Sequence, residues 1–163
     1  MQACHSRVSR GFTLIEILVV CVIVAVMLGL AALRLEQSSE TRLNGAAEDL
    51  ARQLEAARDE SVIRGLPIAF SSDGHAYQFW LSVSDSNEWI VLPDIGQHAS
   101  SELPDGIVID SMQINGRSRP LGERLVFSSS GLSESFILAL SSDSVKIEIV
   151  ADALGHMDVR HAQ

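Results

Sequence analysis

The chain has 163 residues and a formal net charge of −9, with 47% hydrophobic and 20% charged residues. This length accommodates one small domain and an anchor segment, and the acidic balance argues against a general nucleic-acid binder, which needs a basic face to neutralise phosphates. The two cysteines, Cys4 and Cys21, both precede residue 34, so a disulfide framework and a cysteine-based zinc site are excluded for the remainder.

A basic stretch and a long apolar run form the N-terminal part of the sequence. Residues 1–11 contain Arg7 and Arg10 and no acidic residue, whereas the run 12–33 contains a single charged residue, Glu16. A helix of this length rises about 33 Å, close to the ~30 Å hydrocarbon core of a bilayer. We therefore predict a single membrane-spanning helix over 12–33, with the basic end in the cytoplasm and the C-terminal part exported.

Three interpretations of this segment remain open from its composition. It is a simple signal anchor, a secretory signal cleaved near the small residues of "GLAAL" (29–33), or a prepilin-type signal cleaved before the apolar run. The run is long for a secretory signal, and a carboxylate inside such a signal is unusual. A glycine directly before Phe12, with Glu16 four residues later, favours the prepilin-type signal.

The stretch "GFTLIE" (11–16), followed by "ILVVCVIVAVMLGLAAL" (17–33), resembles the N-termini of type IV pilins and of the pseudopilins of type II secretion. The resemblance implies that a prepilin peptidase cleaves between Gly11 and Phe12 and then methylates the Phe12 amine. It also implies residence in the bacterial inner membrane, assembly through Phe12 and Glu16, and three sets of partners. These are other major and minor pseudopilins, an inner-membrane assembly platform and secreted substrates.

Glu16 has a physical explanation in that setting. A carboxylate inside an apolar segment is costly unless it is paired. Cleavage would create an ammonium group at Phe12, four residues away on the same helix, which is a spacing that allows a pair. In a fibre, Glu16 would meet the Phe12 ammonium of a neighbouring subunit instead. The alternative is that Glu16 lies near the membrane face and extends to water from there.

The segment 34–66 is predicted to be the amphipathic second half of a long helix. Apolar residues recur there at alternating steps of four and three, while charged residues occupy the other side. The apolar positions are Leu43, Ala47, Leu50, Leu54 and Ala57. Gly65 followed by Pro67 predicts the helix end, and the N-cap residues in "QSSET" (37–41) allow an interruption.

After Pro67 the apolar period changes to two, which predicts strands. We expect strands at 68–70, 76–83, 88–93, 107–114, 124–131, 134–141, 144–152 and 156–160. The stretch 94–106 has turn residues and little periodicity, which predicts a long loop. One long helix followed only by strands predicts a pilin-like α+β domain, in which antiparallel sheets over 67–163 pack on the amphipathic half of the helix.

Three later stretches resemble the H-type minor pseudopilin, GspH, and the related minor pilins of the FimT and FimU kind. They are "ARDESVIRGLPIAF" (57–70), "LVFSSSGLSES" (125–135) and "IEIVADALGHMDV" (147–159). This resemblance implies a structural subunit near the tip of a periplasmic pseudopilus that supports export of folded proteins across the outer membrane. The alternative is a minor type IV pilin in pilus priming or DNA uptake, for which "GRSRPLGER" (116–124) is the one basic cluster in the sheet region.

No constellation of residues predicts an enzyme. The histidines lie without metal-ligand spacing and are expected in solvated loops; they are His5, His75, His98, His156 and His161. The serine-rich stretch around Ser130 lacks a nucleophile elbow, and the aspartates lack EF-hand spacing. We therefore predict no catalytic residue, no metal and no cofactor, and we expect Trp80 and Trp89 in the core or on a sheet face.

Overall fold

The computed structural model describes residues 14–83, 88–92, 100–143 and 145–162, with the side chains of 30–38, 100 and 101 outside that description. Within these residues one helix, α1 (Leu14–Arg64), precedes ten strands. The strands are β1 (Ile68–Ser72), β2 (Ala76–Val83), β3 (Glu88–Val91), β4 (Ser100–Glu102), β5 (Val108–Ile114), β6 (Arg117–Arg119), β7 (Leu125–Phe127), β8 (Phe136–Ser142), β9 (Val145–Ala151) and β10 (Met157–His161). The predicted α+β architecture is confirmed.

The chain divides into two compact units, residues 1–38 and residues 39–163. In the first unit, the large apolar side chains of α1 from Leu14 to Leu28 are exposed. Among the described residues, no helical segment combines the length and the apolarity that a membrane crossing requires. The predicted span 12–33 includes residues 12 and 13, which lie outside the described residues. The "QSSET" stretch does not interrupt α1, which is helical through 37–41.

The second unit begins with the amphipathic half of α1. This helix ends at Arg64, directly before the predicted stop at Gly65. Gly65 has a φ of 69°, a left-handed conformation that glycine adopts without steric cost. The Gly65 amide donates to the Val62 carbonyl at 3.3 Å and the Leu66 amide donates to the Ser61 carbonyl at 3.2 Å. This pair of bonds is a Schellman motif, which satisfies the last helical carbonyls and turns the chain into β1.

Two antiparallel sheets follow the helix. The first has the order β3-β2-β1-β7, and β4 also pairs with β2. β3 pairs with residues 80–83 of β2, and β4 pairs with residues 76–78. The second sheet has the order β10-β9-β8-β5-β6. Neighbouring strands are therefore not always consecutive: β7 lies beside β1, and β8 lies beside β5. These long-range pairings bring together segments that are far apart in the sequence.

One hydrophobic core lies between the helix and the inner faces of both sheets. All five apolar positions predicted for the amphipathic stripe are buried, as are the four large aromatic residues Phe70, Phe79, Phe127 and Phe136. The rings of Phe127 on β7 and Phe136 on β8 meet edge to face with centroids 6.2 Å apart, which joins the two sheets. The apolar stripe of the helix and the inward-facing side chains of the strands thus form one core.

Two short strands differ from the sequence-based expectation. β4 falls within the predicted loop 94–106 and pairs with Ala76–Gln78 of β2; residues 94–99 lie outside the described residues. β6 follows β5 through Asn115 and Gly116, both with positive φ, so the predicted strand end is in fact a tight hairpin turn. Neither strand shows apolar alternation because both lie at sheet edges, where backbone pairing rather than burial holds them.

Candidate functional site

Glu16 lies in the first turn of α1 and is exposed. It is the one charged residue between Leu14 and Gly29, and large apolar side chains surround it along the helix. Gly11 and Phe12, the predicted cleavage and methylation positions, lie outside the described residues. The predicted pairing of Glu16 with the Phe12 amine therefore stays a prediction, while the placement of Glu16 on an apolar helix surface is observed.

The apolar surface around Glu16 covers all sides of the helix. Twelve large hydrophobic residues between Leu14 and Leu28 are exposed, including Cβ-branched side chains at 15, 17, 19 and 20. A helix that is apolar all round is normally covered by an apolar environment. This segment is therefore suited to an apolar environment. In such an environment Glu16 would be its single charged side chain.

The C-terminal end of α1 is bound to the sheet region by a second group of residues. Arg58 Nη1 donates to the Gly155 carbonyl at 3.1 Å, and the buried Ser61 hydroxyl lies 3.3 Å from the Ser128 carbonyl, to which it can donate. Gly155 has a φ of 80° and lies so close to Arg58 that an added Cβ would fall 2.4 Å from Nε. These contacts join the three stretches at 57–70, 125–135 and 147–159 that carry the resemblance to GspH.

The outer face of the first sheet carries an arginine between two tryptophans. The guanidinium carbon of Arg124 lies 4.7 Å from the Trp80 ring centroid and 5.5 Å from the Trp89 ring centroid, within the range of cation–π attraction. Trp80 Nε1 donates to the Ser71 hydroxyl at 2.8 Å, which orients its ring. Both tryptophans are half-buried, so the expectation of a sheet-face position is confirmed.

The predicted basic cluster 116–124 is divided by the fold. Arg117 and Arg119 belong to β6 of the second sheet, and Arg119 binds Glu123 with a nitrogen–oxygen distance of 3.1 Å. Arg124 instead packs on the tryptophans of the first sheet. Sequence reasoning did not identify this arrangement, because no local signal links Arg124 to tryptophans 35 or more positions earlier.

The described titratable groups include three histidines and an aspartate with a lowered pKa. His75, His156 and His161 are exposed, and His161 lies in β10 rather than in a loop. No group of three or more histidine, cysteine, aspartate or glutamate side chains among the described residues could hold a metal ion. Asp73 has a lowered pKa because its carboxylate accepts the backbone N–H groups of Ala76 and His75, which closes the β1–β2 turn.

A family model described as type II transport protein GspH matches residues 46–155, more than half of the chain. The chain belongs to the GspH family. This match covers α1 from residue 46 to its end and strands β1 to β9. A model of the prokaryotic N-terminal methylation motif matches residues 6–32, which include Glu16 and the exposed apolar surface. The resemblance to GspH stated from the sequence is confirmed.

Individual relatives agree with this assignment. The chain is 42% identical over 73 residues to type II secretion system protein H of Pseudomonas aeruginosa, an alignment that covers 44% of this chain and 42% of that relative. Among solved structures, the minor pseudopilin EpsH of Vibrio cholerae superposes with a TM-score of 0.60 at 16% identity, over 74% of this chain and 97% of that one. GspH of E. coli superposes with a TM-score of 0.58 at 15% identity, over 75% and 89%. The pilin-like fold is thereby confirmed.

Proposed function

We propose that this chain is a minor pseudopilin of the type II secretion system. It is a structural subunit near the tip of a periplasmic pseudopilus that supports the export of folded proteins across the outer membrane. The observation that carries this proposal is that one polypeptide combines a methylation-motif segment, 6–32, with a GspH-type domain, 46–155. Its mechanism is assembly rather than catalysis.

The proposed location is the bacterial inner membrane, crossed once, with the N-terminus in the cytoplasm and the domain in the periplasm. The methylation motif supports this location, as do the exposed apolar side chains from Leu14 to Leu28. A water-exposed surface of that extent is unfavourable at roughly 25 cal/mol per Å² of apolar area. In the membrane lipid covers it, and in the fibre the helices of neighbouring subunits do.

Processing and assembly form the second part of the proposal. A prepilin peptidase cleaves between Gly11 and Phe12 and methylates Phe12, and an inner-membrane platform then moves the helix from the bilayer into the fibre. There Glu16 pairs with the Phe12 ammonium of a neighbour. An unpaired buried charge costs several kcal/mol, so this pairing selects the axial offset between subunits. The partners are other major and minor pseudopilins, with secreted substrates at the tip.

The direct test is mass spectrometry of the protein purified from membranes of a strain with an active type II system. We expect a mature chain that begins at methylated Phe12. A chain that begins at Met1, or one cut near Leu33, would refute the processing step. Neighbouring genes separate the two fibre types, because a type II secretion cluster supports this proposal and a pilus cluster supports the minor type IV pilin.

The pairing is tested with Glu16→Ala. Cleavage should proceed normally, but recovery of the subunit in sheared or cross-linked fibres should fall at least about tenfold, since the neighbouring ammonium would be left without its partner. Glu48→Ala is the matched control, because it removes an exposed carboxylate from the same helix. Within the described part of the chain, this carboxylate bonds only Asn44, at 3.0 Å. Normal incorporation of the Glu16 variant would refute the pairing.

A further inference from the structure

Strand β3 leaves one backbone edge unpaired within the described part of the chain. It pairs with β2 alone, and the Leu92 amide donates to the Phe79 carbonyl at 2.9 Å. Antiparallel ladders alternate between residues that bond to the partner strand and residues that point away from it. The N–H and C=O groups of Trp89 and Val91 therefore point away from β2, toward the position of a further strand.

Two apolar side chains of β3, Ile90 and Val91, are exposed on opposite faces of the strand. Ile90 is 45% exposed and Val91, which projects to the other face, is 44% exposed. Natural edge strands are usually protected by lysine, proline or a bulge, because an apolar edge adds further strands readily. Of the described β3 residues only Glu88, at its start, is charged. This strand is therefore a template for strand addition.

Arg124 provides a charge beside this template. Its guanidinium is held by Trp80 and Trp89, and among the described residues it has no carboxylate partner. Lys146 and Arg160 differ, because Lys146 binds Asp110 at 2.6 Å and Arg160 binds Glu148 at 3.1 Å. A guanidinium held in this way presents a planar set of donors that matches a carboxylate.

The strand register brings the two features together. Val91 pairs with Trp80, and Trp89 pairs with Ser82, so the side chains of Trp89 and Val91 share the outer face with Trp80 and Arg124. A strand added to β3 would place every second side chain on that face. A glutamate on that face would lie on the same side of the sheet as the Arg124 guanidinium.

We propose that β3 and Arg124 form a binding site for an extended segment of a partner protein that carries a glutamate on the face toward Arg124. Backbone hydrogen bonds to Trp89 and Val91 hold the segment, as in other strand-addition complexes. Arg124 selects the glutamate by charge. This site goes beyond the proposed function, because its binding chemistry does not depend on which fibre the subunit joins.

The chain itself supplies a specific probe for this site. It contains two tryptophans, both of which contact Arg124, so tryptophan fluorescence of the full chain in detergent micelles reports on this site alone. The ligands are two blocked seven-residue peptides of alternating threonine and valine, one with a central glutamate and one with a central glutamine. We expect the glutamate peptide to bind at least about tenfold more tightly, which corresponds to about 1.4 kcal/mol.

Substitutions separate the contribution of charge from that of strand pairing. Arg124→Gln should abolish the preference for the glutamate peptide, whereas Arg124→Lys should retain part of it. Arg117→Gln is the matched control, since Arg117 is exposed on β6 of the other sheet and its loss should leave the preference intact. Val91→Pro removes an outward N–H at an edge position that tolerates proline, and it should weaken both peptides about equally.

Four results would overturn the proposal, each obtained on protein whose far-UV circular dichroism shows that it is folded. They are failure of both peptides to bind, equal binding of the two peptides, an undiminished glutamate preference in Arg124→Gln, and unchanged affinity in Val91→Pro. Quenching by a ten-nucleotide oligothymidylate in place of the peptides would likewise overturn it, because it would assign the tryptophan surface to base stacking.

Discussion

Two regions of the same helix differ in where their apolar side chains lie. Between Leu14 and Leu28 the large apolar side chains are exposed, whereas between Leu43 and Ala57 the apolar stripe is buried. The difference lies in the pattern. The first region is apolar on every side and offers no polar face, while the second has one apolar side that fits the sheets. Burial within the chain thus depends on how the apolar residues are distributed around the helix.

The largest expected effect comes from equal truncations in the two regions. Leu54→Ala removes a fully buried side chain and should lower the free energy of unfolding of the 39–163 unit by about 2–5 kcal/mol. Leu18→Ala, at a position that is 57% exposed, should change it by less than about 0.5 kcal/mol. Urea unfolding followed by circular dichroism measures both. Equal losses for the two variants would contradict the comparison.

A smaller effect is expected where the helix end meets the β9–β10 turn. Gly155→Ala places a Cβ against Arg58 at a residue with a φ of 80°, and it should lower the free energy of unfolding by about 1–3 kcal/mol. Gly122→Ala is the control, because its Cβ would meet no atom within 4 Å and its φ is not positive. Combining Gly155→Ala with Arg58→Ala should recover part of the loss; no recovery would mean that the Arg58 contact is not its cause.

The smallest expected effect is a pH dependence at the β1–β2 turn. Hydrogen bonds from the Ala76 and His75 amides lower the pKa of Asp73, so its ionised form stabilises the folded state above about pH 3.9, the ordinary aspartate pKa. This contribution is lost as the pH falls through the lower folded pKa. Asp73→Asn should therefore have a lower urea midpoint than the wild type at pH 7, and the difference should vanish in acid. A difference that is as large at pH 3 as at pH 7, or larger, would contradict this assignment.

Much of the fold could be predicted from short-range patterns. The stripe from Leu43 to Ala57, the helix end at Gly65 and the strands 76–83 and 108–114 each depend on residues within a few positions of one another. The N-terminal motif is similarly local, because a glycine, a phenylalanine directly after it and a carboxylate four positions later define it. Side-chain alternation does not reveal β4 and β6, because these edge strands are held by backbone pairing.

By itself, the sequence determined the family, the long helix, the change to strands and the charge at Glu16, because the interactions behind these features are local or belong to one helix face. Only the tertiary structure decided which strands are neighbours. It placed Arg124 against Trp80 and Trp89 and brought Arg58 to Gly155, 97 positions away. Such contacts depend on the order of strands in each sheet, which is set by the packing of all inner faces into one core rather than by any single segment.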